Sequence, residues 1–447
     1  MPKVTIIMPS LNVIKYIRPC MESVLKQTLK DIEILAIDAG SNDGTLEILE
    51  EYATLDSRVQ VIHSDKKSYG YQLNLGILLA HGEYVGIVET DDMIMPDMYE
   101  TLYDAAIETD AEYVKGRAEY FIEVTNGNIW NRPIRSSFVD DGLLGKVISP
   151  GNMPELLVRD IYLWTGLYKR EFIKSIRLNE TPGAAFQDQG FLFQTISFAK
   201  RAIYLDKIVY QYRQDNGNSS IFNKKGFHYL VEEYSYVEQF LQGKSEAWQN
   251  VYYQRMFNQC IGRFEMMAVS GSFWQEAERD IETLREKLQY AVDNKLLQIN
   301  DLSMQRREML AVFLKGAQGI YLYCVNAFQK MVQPIAEIFD KIEKQQVVIF
   351  GVGKFGRFFH ALLETKHPGL AVSYCDNKQE LWNTMVQGMR ILSPEEACRK
   401  YSQAIYVIAN LHSVEEIEKQ LYKLGVSKDK IIIYQGPTDM LLFRMSK

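Results

Sequence analysis

An α/β fold with a helical middle region and a second, smaller α/β unit is what three observations predict for this chain of 447 residues. Short apolar runs alternate with helix-spaced segments over residues 1–110, as in a domain built on a mainly parallel sheet. Long amphipathic helices rich in aromatics take over from 225 to 342. Strands return at 346, and the first of them runs straight into a glycine-rich turn. The predicted division is 1–222 for the α/β domain, 223–342 for the helical region and 343–447 for the small Rossmann-like unit.

Each element follows from its pattern. Residues 4–8, 32–37, 59–62 and 84–88 are short β-rich runs, while 16–27, 45–52, 72–80 and 96–108 have helical spacing, the last with Pro96 at its first turn. In the middle region the aromatic stripe that includes Tyr234, Trp248, Tyr252 and Phe257 is expected to be packing core. Further strands are predicted at 347–350, 372–374, 405–408 and 431–434. The window 310–328 carries Lys315 and Gln318, which predicts a buried helix over a membrane span and leaves peripheral membrane contact as a lesser option.

Composition narrows the function classes. With 47% hydrophobic and 24% charged residues the chain is of globular type, with room for two or three cores. A net charge of −7 argues against nucleic acid as a partner. The five cysteines have no CxxC or zinc-type spacing and are expected to be reduced, mostly buried thiols of a cytoplasmic protein. The opening residues lack the basic and apolar regions of a signal peptide and are expected to form the first strand. Self-association stays open.

The chemistry concentrates at strand ends, where open α/β sheets bind ligands. After the first strand come Pro9, Ser10, Leu11 and Asn12, and after the second come Asp38 and the turn Gly40-Ser41-Asn42-Asp43-Gly44. Asn42 and Asp43 are expected to cap the helix that follows. Asp38 stands where a carboxylate could accept from the imide N–H of a uracil ring. Glu89-Thr90-Asp91-Asp92 ends the run Tyr84-Val85-Gly86-Ile87-Val88 with three acids in four residues. Carboxylates crowded there are costly unless a cation neutralises them, and a divalent metal carrying a phosphate is the natural candidate.

Six segments in register resemble one family: Val4-Thr5-Ile6-Ile7-Met8-Pro9-Ser10-Leu11-Asn12, Ser23-Val24-Leu25-Lys26-Gln27-Thr28, Asp38-Ala39-Gly40-Ser41-Asn42-Asp43-Gly44-Thr45, Asn74-Leu75-Gly76, Ala80-His81-Gly82-Glu83-Tyr84 and Thr90-Asp91-Asp92. Over roughly residues 3–220 the chain resembles a family 2 glycosyltransferase with the GT-A fold. The resemblance implies an inverting, metal-dependent transfer from a nucleotide-diphosphate sugar, UDP first, to a glycan, lipid-linked or glycoprotein acceptor. It places Pro9, Asn12 and Asp38 around the base, Asp91 on the ribose and Asp92 on Mn²⁺ or Mg²⁺. Glu89 stands where many relatives have aspartate. Leu73 stands where many have arginine before Asn74, so contacts there pass to Lys67, Ser68 or Tyr69.

The general base should lie well downstream. Asp188, after a Pro-Gly loop and before an apolar helix, resembles one member of the acidic pair that opens the base-bearing helix in this family, with Gln187 in place of the usual glutamate. The segment around Trp164 resembles the one that walls the sugar or acceptor pocket, and Arg213 and Ser219 fall in a loop resembling the one that closes over the diphosphate.

In the last unit Gly351, Gly353 and Gly356 follow a strand and open a helix, with Asp376 at the end of another strand twenty residues after the last glycine. That context fits an NAD-type nucleotide, although a packing or assembly role is the favoured expectation. Two rival functions follow: an NAD-dependent oxidoreductase using this loop, or a nucleotide-sugar-binding scaffold without catalysis.

Overall fold

The structure, a computed structural model, describes the chain apart from residues 125–127, 135–141, 184, 343 and 445–447. Ala184 of the Pro-Gly loop and residue 343, the expected start of the last domain, therefore lie outside the described residues. Contacts divide the chain into two units, one of residues 1–120 and 133–323 and one of residues 121–132 and 324–447.

In the first unit strands β1 (Val4–Ser10), β2 (Ile32–Asp38), β3 (Val59–His63) and β4 (Tyr84–Ile87) alternate with helices α1 (Ile17–Leu25), α2 (Thr45–Leu55), α3 (Tyr69–Leu79) and, after β5 (Met93–Ile94), α4 (Met98–Thr109). Pro96 precedes α4 and is not part of it. There follow β6 (Tyr113–Val124), β7 (Asn128–Pro133), β8 (Val147–Ile148), α5 (Leu156–Arg159), β9 (Gly166–Lys169), α6 (Arg170–Ile173), α7 (Asp188–Phe198) and β10 (Ala202–Arg213). The sheet runs β3-β2-β1-β4-β9-β6-β10-β5. β3, β2, β1 and β4 are parallel, whereas β9 and the strands beyond it bring antiparallel pairs. Every residue of β1 and β2 is buried, which explains their mainly apolar character, and the buried Glu33 of β2 is met by the Thr5 hydroxyl of β1. α1 buries Ile17, Cys20, Met21 and Val24, one stripe at helical spacing.

Helices α8 (Gly226–Glu238), α9 (Glu246–Ser270), α10 (Glu278–Asp293) and α11 (Met304–Leu314) complete this unit. Their aromatics pack inward as expected: Tyr234, Tyr252 and Phe257 are buried, and Phe193 of α7 meets Trp248 and Tyr252 edge-on. The expected buried helix over 310–328 is instead split. α11 ends before Gly316, whose φ of 139° is open to glycine, and α12 (Ala317–Ile342) begins after it with many exposed positions. No helix among the described residues is long and apolar enough to cross a membrane. All five cysteines are free and buried.

The second unit holds β11 (Val347–Phe350), α13 (Lys354–Lys366), β12 (Val372–Cys375), β13 (Met385–Val386), β14 (Met389–Leu392), α14 (Pro394–Lys400), β15 (Ile405–Ile408), α15 (Val414–Lys423) and β16 (Ile431–Ile433). Its sheet runs β13-β14-β12-β11-β15-β16 and is parallel apart from β13. Leaving β13 aside, that is the Rossmann order, with β11 at the switch point. Residues 121–132 belong to this core: Trp130 is 5% exposed, its ring 5.7 Å from Phe358 and 5.2 Å from Phe443, and Arg132 donates to the Thr438 carbonyl at 2.6 Å.

Candidate active site

The parallel strands β1, β2 and β4 end side by side, with Ser10 opposite Asp38 and Ile7 opposite Ile87. Gln72 of α3 ties the first two ends together by donating to the carbonyls of Ser10 and Ile37. Asp38 is fully buried and folds its own turn: Oδ2 accepts from the Gly40 and Ser41 amides, and Oδ1 accepts from Ser41 Oγ at 2.5 Å. Asn12, in the left-handed region at φ 54°, accepts from the Asn42 amide and donates its own amide to Ser41 Oγ. Asp43 accepts from the Ile14 amide and from the amide and hydroxyl of Thr45, so it stitches the two loops as well as starting α2.

β4 delivers the acid cluster. Asp92, 1% exposed, accepts from the Tyr210 hydroxyl at 2.9 Å and from the Arg213 amide at 2.7 Å. Asp91 accepts from Asn216 Nδ2 at 2.7 Å, and its carbonyl takes Arg213 Nε at 2.8 Å. Glu89 accepts from the Tyr69 hydroxyl at 2.5 Å. The Thr90 hydroxyl donates to the Pro9 carbonyl, which joins this turn to β1. Arg213 is 4% exposed, pairs with Asp215 and lies 4.7 Å from the ring of Tyr16.

Burial, reinforced by the charge of Asp91, pushes Asp92 well above the usual carboxylate range. Burial likewise raises Asp91, against the Asn216 hydrogen bond. Glu89 is pushed up to about 8 by burial, with Asp91 and Asp188 adding to it and the Tyr69 bond opposing. Carboxylates held high in this way are relaxed by added positive charge. Among the described residues no group of three or more His, Cys, Asp or Glu is arranged to hold an ion. The donors are hard oxygens, however, and Mg²⁺ usually takes one or two carboxylates and fills its shell with phosphate and water. The cluster fits a hard divalent cation shared with a phosphorylated ligand.

Asp188 opens α7, half-buried, and its pKa is raised by burial against the opposing charge of Arg255. The fold brings it near the cluster, since its charge reaches both Glu89 and Tyr69. Gln187 beside it is 1% exposed and works as a clamp: Oε1 accepts from the Gly70 amide, while Nε2 donates to the carbonyls of Asn179 and Thr181 and approaches Ser68 Oγ. Gly70 is required at this contact, because a Cβ there would meet the Asn179 carbonyl oxygen at 1.9 Å. Ser68 caps α3 by accepting from the Tyr71 amide, and the Lys67 side chain passes within 3.8 Å of where a Cβ on Gly40 would sit.

Other expected residues fall at varied distances from this centre. Trp164, 7% exposed, stacks on Tyr162 at 4.4 Å and on Tyr210 at 4.1 Å, and so backs the tyrosine that holds Asp92. Asn74 does not join the group; it is spent on the backbone of Leu178 and on Glu180. Ser219 donates its amide to the Asn216 carbonyl. Asp376 accepts from the Val352 amide of the glycine-rich turn and from the Lys378 amide of its own loop. Gly356 packs so tightly on Gly351 that a Cβ would lie 1.8 Å from the latter's carbonyl oxygen. Tyr210, Asn216 and Gln189 escaped the sequence reading. The Tyr210-Gln211-Tyr212-Arg213 alternation was the available signal for the first.

Comparisons with known proteins bear on the family and the fold. Residues 5–174 match the profile of Glycosyl transferase family 2, and residues 343–432 match that of C2185-like, N-terminal. The chain is 29% identical over 227 residues to the glycosyltransferase GlyG of Streptococcus pneumoniae serotype 4, covering 48% of this chain and 72% of that protein. It is 29% identical over 240 residues to GlyA of the same organism, covering 52% of this chain and 34% of that relative, so it spans only part of it. Residues 1–349 of S. aureus TarS, solved with UDP-GlcNAc, superpose with a TM-score of 0.54 at 18% identity, over 73% of this chain and 92% of that one. That likeness is one of fold. Residues 5–174 are thus a family 2 glycosyltransferase domain, carried on a GT-A sheet.

Proposed function

We propose that the chain is an inverting, metal-dependent glycosyltransferase that moves a sugar from a UDP-sugar to a glycan or glycoconjugate acceptor in the synthesis of surface polysaccharide or a related glycan. The observation that carries this reading is the acid cluster at the end of β4, joined to the start of α7, where Asp188 stands, by the Glu89–Tyr69 and Gly70–Gln187 hydrogen bonds. The TarS complex with UDP-GlcNAc supports a UDP-sugar as donor.

In this reading Asp38 and Asn12, with Pro9, face the base, Asp91 faces the ribose, and Asp92 holds Mn²⁺ or Mg²⁺. When bound, the ion supplies positive charge to the leaving diphosphate. Arg213, already against Asp91, adds a fixed positive charge on the same side. Asp188 takes the proton of the acceptor hydroxyl. The acceptor oxygen bonds to the anomeric carbon as its bond to the diphosphate oxygen breaks, and the electron pair leaves with UDP. One displacement inverts the carbon and needs no covalent nucleophile. Burial serves the base here, because a raised pKa makes a carboxylate a better proton acceptor.

The test is UDP release from a panel of UDP-sugars, with and without Mn²⁺ or Mg²⁺, in the wild type and in Asp188→Asn. Metal-dependent release that falls about 10²- to 10⁴-fold in the variant while UDP still binds is the expected result. Full turnover in Asp188→Asn removes it from the mechanism.

A further inference from the structure

Helix α9, in the stretch that the sequence marks as packing core, sends an arginine toward Asp188. Arg255 and Gln189 are 4% exposed each. Arg255 Nε donates to Gln189 Oε1 at 2.5 Å, and Gln189 Nε2 donates to Asp188 Oδ2 at 2.8 Å. This chain has one sense only. A guanidinium carries donors and no acceptor, so Gln189 must turn its oxygen to Arg255 and its NH₂ to Asp188. Gln259 Nε2, 3.4 Å from the same oxygen, is compatible with that orientation.

Stability alone is a poor explanation for Arg255. Its Nη1 donates to the carbonyls of Leu157 and Asp160, and its Nη2 makes no hydrogen bond among the described residues. A buried charge with neutral partners and an unmade bond is costly to the fold. Its charge does reach Asp188, where it opposes the upward push of burial. Among the described residues the Asp188 charge also reaches Glu89, Glu233 of α8, Tyr69 of α3 and Tyr234 of α8, all acids, so Arg255 is the cation set against them.

We propose that Arg255 is a positioning residue for the transfer step, acting through Gln189 to aim the Asp188 carboxylate. This role rests on Asp188 being the general base, which Asp188→Asn tests separately. The full chain is prepared as wild type, Asp188→Asn, Arg255→Met and the double variant. UDP release from UDP-GlcNAc, UDP-glucose and UDP-galactose in Mn²⁺ is followed across pH. The Asp188 carboxyl is titrated by infrared difference against Asp188→Asn. In Arg255→Met, kcat is expected to fall about 10- to 100-fold with donor KM little changed. The rise of rate with pH and the infrared titration both move to higher pH. Arg255→Lys keeps the charge without the planar N–H and restores the pH limb more than kcat. In the Asp188→Asn background Arg255→Met has no further effect.

If Asp188→Asn collapses while Arg255→Met keeps the wild-type pH limb and titration, the positioning role is overturned and the base is spared. If Asp188→Asn turns over normally, both fall. If Arg255→Met no longer binds UDP by calorimetry, Gln189→Met cuts the same link and leaves the charge in place. Unchanged kcat and titration in that variant also overturn the role.

Discussion

The Tyr210 hydroxyl donates to Asp92 at 2.9 Å while accepting the backbone amide of Glu89 at 3.0 Å. One phenol from β10 thus holds both ends of the acidic turn that leaves β4. Trp164, stacked on its ring, keeps it there. Tyr210→Phe leaves a buried amide and a carboxylate oxygen short of a partner. It is expected to cost about 1–3 kcal/mol in a denaturant titration. It should also lower metal affinity or kcat/KM about 10- to 100-fold, as removal of a group that orients a metal ligand does. Wild-type values for both would show that Tyr210 is only a neighbour.

Chelation should abolish UDP release, and Mn²⁺ or Mg²⁺ should restore it. Asp92→Asn keeps the size of the side chain and one acceptor but loses the charge, so no metal concentration should rescue it fully. Turnover that persists in EDTA would remove the ion from the mechanism.

Gln187→Glu keeps the size of the side chain, yet it should harm this chain. Gln187 Nε2 donates to the carbonyl of Asn179 at 2.7 Å and to that of Thr181 at 3.2 Å. A carboxylate oxygen in its place would face those carbonyls, with a loss of about 1–3 kcal/mol in urea. An unchanged urea midpoint would mean that the loop 179–181 rearranges freely.

The acids of the site were legible because charge at the end of an apolar strand is an anomaly that one segment displays by itself. Asp92 stood out in this way, whereas Asp188 was picked out as an acid between a Pro-Gly loop and an apolar helix, by resemblance. Tyr210 and Arg255 did not stand out, because each looks ordinary in its own segment, an alternating strand or an aromatic helix. Their meaning lies in pairings such as Tyr210 with Asp92 and Arg255 with Gln189, which only the folded sheet and helices create. Residues 121–132 raise the same difficulty. They continue a strand of the first unit in sequence, and nothing local marks Trp130 as part of the second core.

Glu233 gives the fold a pH dependence of definite sign. Burial pushes its carboxyl up to about 8, with the Asp188 charge adding and hydrogen bonds from the Gly190 amide and Asn179 opposing. The unfolded chain ionises this group near pH 4.5 while the folded chain keeps the proton, so its contribution is fully present below that pH and is lost as pH rises to about 8. Glu233→Gln should flatten that slope in thermal melts taken between these limits. A slope identical to that of the wild type would assign it to other groups.

Trp130 should govern the stability of the second unit alone. Its ring packs against both Phe358 of α13 and Phe443, which also meet each other, and Ile122 joins the same core. Trp130→Ala removes that volume and should cost about 3–5 kcal/mol. Hydrogen exchange locates the loss: amides of β11 and α13 should exchange faster, while those of β1 and β2 keep their protection. By the same reasoning a fragment of residues 344–447 leaves Phe358 and Phe443 without Trp130, and should be less stable than the same residues in the full chain. Equal protection of β11 in Trp130→Ala and wild type would show that Trp130 only rests on this core and does not complete it.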